Sequence, residues 1–366
     1  MRILHVTAPA AFGGLESVVA GLARATADAG HDVTVALSLI PGIGEPAWAS
    51  ALRGNGVKVE LIVVPARAYL EERRAVRALT HRIHPEVVHT HGYRSDVLHV
   101  GCAKRTGARV VSTAHGFASN DWRGRLYERL QLRAWRRFDA VVAVSEPIFT
   151  TLRSAGIGTS KLFWIANEFV PGSAPMLTRA AARDRLALPP SGTVIGWVGR
   201  FSEEKDPELM IRAFSALRDD TAMLCMVGDG PLASKMHDLA QGLGMGDRTA
   251  FPGSVNGIAT CNAAFDVLAL SSRTEGTPMV LLEAAHAGIP IVACAVGGVP
   301  ALLGAEGGTL VNPSDAGALT RALLAVLGDP EGAKQRAEAL RERLGARSSS
   351  ADWVSRYLAL YERAPR

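Results

Sequence analysis

The chain has 366 residues, 48% hydrophobic and 20% charged, with a formal net charge of +5. That length exceeds the size at which one core usually stops growing, so two domains are expected, and the composition excludes the disordered and fibrous classes. The modest positive charge suits a phosphate-bearing partner or an anionic membrane surface, although solubility alone accounts for a value of this size.

Short β-branched runs alternate with longer helical patterns from the start of the chain. RILHVT is followed by a helical segment from Leu15 to Ala29; DVTVAL and VKVELIVVP by one from Leu70 to Ile83; then come VVHTH, RVVSTAH and AVVAVS. This alternation marks a parallel sheet covered on both faces by helices. FVPGSAP has the proline and glycine content of a linker, after which TVIGWVG, AMLCMVG, TAFPG, DVLALS and PIVACA restart the pattern. The expected fold is α/β, two doubly wound Rossmann-like domains facing across a cleft, with boundaries at residues 1–172 and 173–349. The segment 350–366 carries Trp353, Tyr357 and Tyr361 at helical spacing and is expected to pack back on the first domain.

MRILHV is apolar for too few residues to be a signal peptide. The uncharged stretch from Ala284 to Ala305 is broken by Gly288, Pro290, Gly297, Gly298, Pro300 and Gly304, so no membrane span is expected. Cys102, Cys225, Cys261 and Cys294 form no CxxC pair, and no histidines stand at zinc spacing, which points to a reducing, cytoplasmic compartment and no structural metal.

Ligands of such sheets bind beyond the carboxyl ends of the strands, so the loops there hold the candidate chemistry. Gly13 and Gly14 follow the first strand and open a helix, where a backbone can approach a phosphate or sugar closely; a tight turn is the competing reading. In VGRFSEEKDP, Arg200 and Lys205 stand before Asp206 as N-cap and Pro207 as first helical residue, an anion site made of two cations and a helix N-terminus. Ordinary pairing with Glu203, Glu204 or Glu208 is the alternative. No Asp-x-Asp is present to hold Mg²⁺ or Mn²⁺. VGDGPL repeats the strand-to-loop plan at Gly228.

EGTPMVLLE places Glu275 in a loop and Glu283 inside an apolar helix, with Thr277 read as N-cap and Pro278 as first helical residue. A carboxylate among Met279, Val280, Leu281 and Leu282 has to be satisfied if buried, by a cation such as Arg273 or by the hydroxyls of a polyol ligand. His115, His89 and His91 lie at strand ends. From Trp122 to Phe138, six arginines interleave with aromatics in WRGRLYERLQLRAWRRF. Either this helix lies on anionic lipid, or it buries Leu126, Leu130 and Trp135 and solvates its arginines; nucleic acid is not an expected partner.

Taken together, FGGLE, TAHGF, VVAVSE, WVGRFSEEKDP, MVGDGP, SRTEGTPMVLLEAAHAGIPIVA and GGTLVNPSD resemble, in order and over essentially the whole chain, the GT-B retaining glycosyltransferases of family four. The E-x7-E element at Glu275 and Glu283 is the most specific of these. The resemblance implies that Arg200 and Lys205 hold a donor diphosphate, Glu283 the ribose, and Glu275 the sugar hydroxyls, with Gly228, Gly276, Thr277, Pro278, Met279 and Val280 lining the donor. It implies His115 near the reacting sugar, Gly13 and Gly14 closing on the diphosphate, and Glu16, His91 and Tyr93 on the acceptor side. Catalytic roles fall to His115, Arg200, Lys205 and Glu275. Ala166-Asn167-Glu168-Phe169, Ala301 and Thr277-Pro278 depart from the family's usual residues.

The expected activity is transfer of a hexosyl unit, with retention and without a metal or cofactor, from a nucleotide sugar, UDP-linked by preference. The acceptor is a polysaccharide, lipid-linked or small molecule, with envelope or exopolysaccharide synthesis at the inner face of the plasma membrane as the favoured setting. A UDP-sugar epimerase of similar plan and a non-catalytic nucleotide-sugar binding protein are the alternatives.

Overall fold

The computed structural model describes residues 1–9, 13–116, 122–172, 174–217, 221–347 and 350–363. The chain divides into two compact units, Met1–Val170 with Ser349–Arg366, and Pro171–Ser348.

The first unit holds seven strands, β1 (Arg2–Thr7), β2 (Asp32–Leu39), β3 (Lys58–Val63), β4 (Val87–His91), β5 (Arg109–Ala114), β6 (Ala140–Ala143) and β7 (Leu162–Trp164). Their order is β3-β2-β1-β4-β5-β6-β7, and every pairing is parallel. Because the order reverses beside β1, the switch point of this sheet lies between β1 and β4. The period of two along each strand sorts its side chains between the faces. Leu4, Val6, Val88, Val110 and Val141 enter one apolar cluster with Trp135 and Phe138. On the other face of β4 stand His89 and His91, both buried. The helix Ser350–Tyr361 belongs to this unit and buries Trp353, Tyr357 and Tyr361. It is tied down by the Tyr361 hydroxyl, 2.7 Å from His89 Nδ1, and by Arg356 donating to the Trp164 carbonyl at 2.6 Å.

The second unit holds β8 (Val194–Val198), β9 (Met223–Val227), β10 (Thr249–Gly253), β11 (Val267–Leu270), β12 (Ile291–Cys294) and β13 (Thr309–Val311), in the order β10-β9-β8-β11-β12-β13. All are parallel, and the order reverses beside β8. Trp197, Phe201, Phe214, Met226, Leu319 and Leu323 centre its core. β7 and β13, three residues each, escape a reading by hydrophobic runs because so short a run has no measurable period. Among the described residues no helix is long and apolar enough to cross a membrane.

Candidate functional site

In the second unit, the loops after β8, β9, β11 and β12 hold one another backbone to backbone. Phe201 donates to the Asp229 carbonyl at 3.0 Å, Gly199 to Val227 at 3.0 Å and Gly298 to Gly276 at 2.8 Å. Two glycines make this approach feasible. Gly228, at φ 137°, would place a Cβ on the Gly199 carbonyl oxygen, and Gly297, at φ 54°, would place one on the Glu275 carbonyl oxygen. Ser271 braces the assembly, accepting from the Trp197 indole at 2.9 Å and donating to the carbonyls of Lys205 and Asp206, both at 2.9 Å.

The charges are fixed to that frame. Asp206 sits at φ 45° and caps the helix Pro207–Ser215, its side chain accepting from Leu209 N at 3.3 Å. Pro207 is the first helical residue, as the sequence indicates. Lys205 pairs with Glu275, not with its neighbouring glutamates: Nζ lies 2.6 Å from Oε1, and the Ser272 hydroxyl donates to the same oxygen at 2.6 Å. Two residues read separately from sequence thus form one buried-side pair, the Glu275 side chain being 6% exposed. Arg200 is exposed, and no ion-pair partner meets it among the described residues.

Arg273 does not answer Glu283. Its Nε donates to Asp206 at 2.7 Å, reinforcing the cap instead. The helix carrying Glu283 runs Met279–His286 with Pro278 as the flanking N-cap residue, one position later than the Thr277 and Pro278 assignment; ψ 116° at Pro278 is extended, not helical. Glu283 is 9% exposed, and among the described residues no donor or cation meets its carboxyl, whose oxygens still touch solvent. Burial alone pushes its pKa up to about 7.

In the first unit, Gly13 precedes the helix Gly14–Asp28 in an extended conformation that any residue adopts. An added Cβ there would lie 2.7 Å from the Glu16 carboxylate, the far end of a flexible side chain that can shift, so the position does not require glycine. Phe12 lies outside the described residues. At the carboxyl end of β1, β4 and β5, His91 Nε2 is 3.0 Å from His5 Nδ1, and His91 Nδ1 is 3.4 Å from His115 Nε2. Desolvation holds these imidazoles neutral, His5 down at about 3, His115 at about 4, and His89 and His91 well below the usual range. His5 escaped the sequence reading because a histidine inside a six-residue strand has no distinguishing neighbour. Its ring nitrogens with those of His89 and His91 lie within 4.8 Å of one another, a cluster that linear spacing hides.

The helix Trp122–Trp135 divides the two readings made of it. Trp135 and Phe138 are fully buried, but Leu126 (47% exposed), Tyr127 and Leu130 are not. Arg125, Arg129 and Arg133 are also exposed, and Tyr93 stacks on Tyr127 with centroids 4.9 Å apart.

Comparison with known proteins agrees with this architecture. Residues 12–167 match the family described as Glycosyltransferase Family 4, and residues 178–343 that described as Glycosyl transferases group 1. In structure the chain is similar to HepE of Anabaena in complex with UDP-glucose, with a TM-score of 0.84 and 20% identity over 98% of this chain and 99% of that one. It is also similar to sucrose-phosphate synthase from Thermosynechococcus elongatus, with a TM-score of 0.79 and 22% identity over 99% and 98% of the two chains. The fold is therefore GT-B, two Rossmann-like domains. By that fold and the two family matches, which together span residues 12–343, the chain is similar to the GT-B glycosyltransferases.

Among curated proteins, a D-inositol 3-phosphate glycosyltransferase of Salinispora tropica is 28% identical over 89% of this chain and 76% of its own length. The protein of the same description from Mycobacterium sp. strain KMS is 36% identical over 41% of this chain, and that match spans 35% of its length.

Proposed function

We propose that the chain transfers a hexosyl unit from a nucleoside-diphosphate sugar to an acceptor, with retention of anomeric configuration and without a resident metal. The observation that carries this reading is the state of the E-x7-E pair. Glu275 is held by Lys205 and Ser272, whereas Glu283, set in an apolar helix, has no protein partner among the described residues. A carboxyl that no protein group engages is open to a ligand, and the paired hydroxyls of a ribose supply two donors. Lys205, Arg200 and the capped N-terminus of Pro207–Ser215 then serve the diphosphate as it leaves, developing charge that preorganised cations and amides stabilise. Glu275 and Gly276 to Val280 meet the sugar and base, Gly228 leaves room for the backbone to approach, and His115 donates to the transferred sugar. Glu16 and Tyr93 serve the acceptor side, whereas His91, buried with both ring nitrogens engaged, stands behind His115.

The complexes of HepE with UDP-glucose and with UDP support a UDP-linked donor. For the acceptor, the inositol-phosphate relatives favour a small phosphorylated polyol. The exposed Leu126, Tyr127 and Leu130 among arginines favour a lipid-linked one at an anionic surface. Thermal shift with UDP, GDP and their sugars tests the donor: at a hundredfold excess over Kd the native state gains about 2.7 kcal/mol. No shift with any of them overturns the reading. Conversion of UDP-GlcNAc with no acceptor present would instead make the chain an epimerase.

A further inference from the structure

The face of the first sheet that carries imidazoles contains two separate hydrogen-bond systems. His89 is closed at both ends, Nδ1 on the Tyr361 hydroxyl at 2.7 Å and Nε2 on Thr113 Oγ1 at 2.8 Å. The other three imidazoles form a line. It runs from His115 Nε2 to His91 Nδ1 at 3.4 Å, and from His91 Nε2 to His5 Nδ1 at 3.0 Å, ending at His5 Nε2, which is buried and meets no partner among the described residues.

We infer that this line fixes the tautomer of His115, holding its proton on Nδ1, and that His91 and His5 are positioning residues for the imidazole that meets the transferred sugar. The inference rests on the role proposed above for His115. A neutral imidazole has one donor and one acceptor, so three in a row admit only two proton arrangements. The inner end chooses between them. If the protons ran inward, His5 Nε2 would be a buried N–H with no acceptor, the orphan that folded proteins tolerate least; run outward, it is an unmet lone pair. His5 Nδ1–H therefore donates to His91 Nε2, and His91 Nδ1–H donates to His115 Nε2. His115 is left with Nδ1–H as its free donor, suited to a sugar hydroxyl oxygen. An unconstrained neutral imidazole favours the proton on Nε2, so the line reverses the intrinsic preference. Burial keeps all three rings uncharged at neutral pH, which the alternation of donor and acceptor requires.

The same nitrogens of His5, His89 and His91 lie close enough to chelate, but those of His5 and His91 point at each other across their own hydrogen bond. Both nitrogens of His89 are already engaged.

Long-range proton–nitrogen correlation on the full chain, labelled with ¹⁵N-histidine at pH 7.5, reads the tautomer directly. The expected result is a single His115 species protonated on Nδ1. In His5→Phe and in His91→Asn the proton should move toward Nε2, with kcat falling threefold or more at little change in donor KM. A wild-type His115 protonated on Nε2, or one exchanging evenly between nitrogens, overturns the inference even if neither variant folds. So does an unchanged His115 signal in both folded variants, or one equivalent of zinc retained after dialysis. Full turnover in His115→Ala would overturn the role given to His115 in transfer, whichever tautomer is found.

Discussion

Both sheets gather polar groups at the carboxyl ends of their strands, but with opposite electrostatics. The second unit uses ion pairs, Lys205 on Glu275 and Arg273 on Asp206, beside a Glu283 carboxyl that burial raises to about 7. The first uses neutral imidazoles whose protonation burial has suppressed. The contrast shows two ways of preparing a ligand site. Charges recognise a diphosphate, whereas neutral rings with fixed donors recognise hydroxyls without attracting counter-ions.

If the charges of the second unit do chemistry, removing Glu275 has the largest effect. Glu275→Ala should lower turnover by roughly 10²-fold or more, because it removes a sugar contact and also frees Lys205. An unchanged rate would leave a binding protein. The frame around those charges comes next. Gly297→Ala collides with the Glu275 carbonyl, so thermal unfolding should show a loss of about 2 to 4 kcal/mol, and donor binding should weaken with it.

Glu283→Gln separates stability from function. Its carboxyl titrates near 4.5 when unfolded and at about 7 when folded, so between those values the folded chain holds a proton that the unfolded chain has released. The stability this group contributes therefore falls as pH rises through this window and is gone above about pH 7, a loss of about 3 kcal/mol at most. Buried Asp96, raised to about 6, contributes with the same sign. The difference between wild-type and Glu283→Gln urea midpoints from pH 4.5 to 8 isolates Glu283. The variant should be the more stable above pH 7 yet bind a UDP-sugar about tenfold more weakly. A variant less stable at pH 8 would mean that the carboxylate is already satisfied.

The smallest effect expected is at the surface. Leu126→Glu with Leu130→Glu should leave stability within about 0.5 kcal/mol and reduce co-sedimentation with anionic vesicles severalfold. If wild type binds neither anionic nor neutral vesicles, the lipid-linked acceptor falls away.

The doubly wound plan and the longer strands were legible because buried parallel strands are nearly continuous apolar runs, and Asp206-Pro207 announced its helix by cap chemistry. Arg200, Lys205, Glu275 and Glu283 were legible as candidates, but their partners were not. Lys205 and Glu275 are 70 positions apart, and Arg273 turned from a supposed partner of Glu283 to Asp206. Leu126 and Leu130 sit at helical spacing that suits burial, but whether a stripe is covered depends on what packs on it.

By itself, the sequence determined which segments become strands and helices and which residue types stand at their ends, because periodicity and capping are local. Only the tertiary structure decided that Glu283 is left without a protein partner among the described residues, that Lys205 closes on Glu275 and that His5 joins His91 and His115 in a line. Burial and pairing depend on distances between strands far apart in the chain.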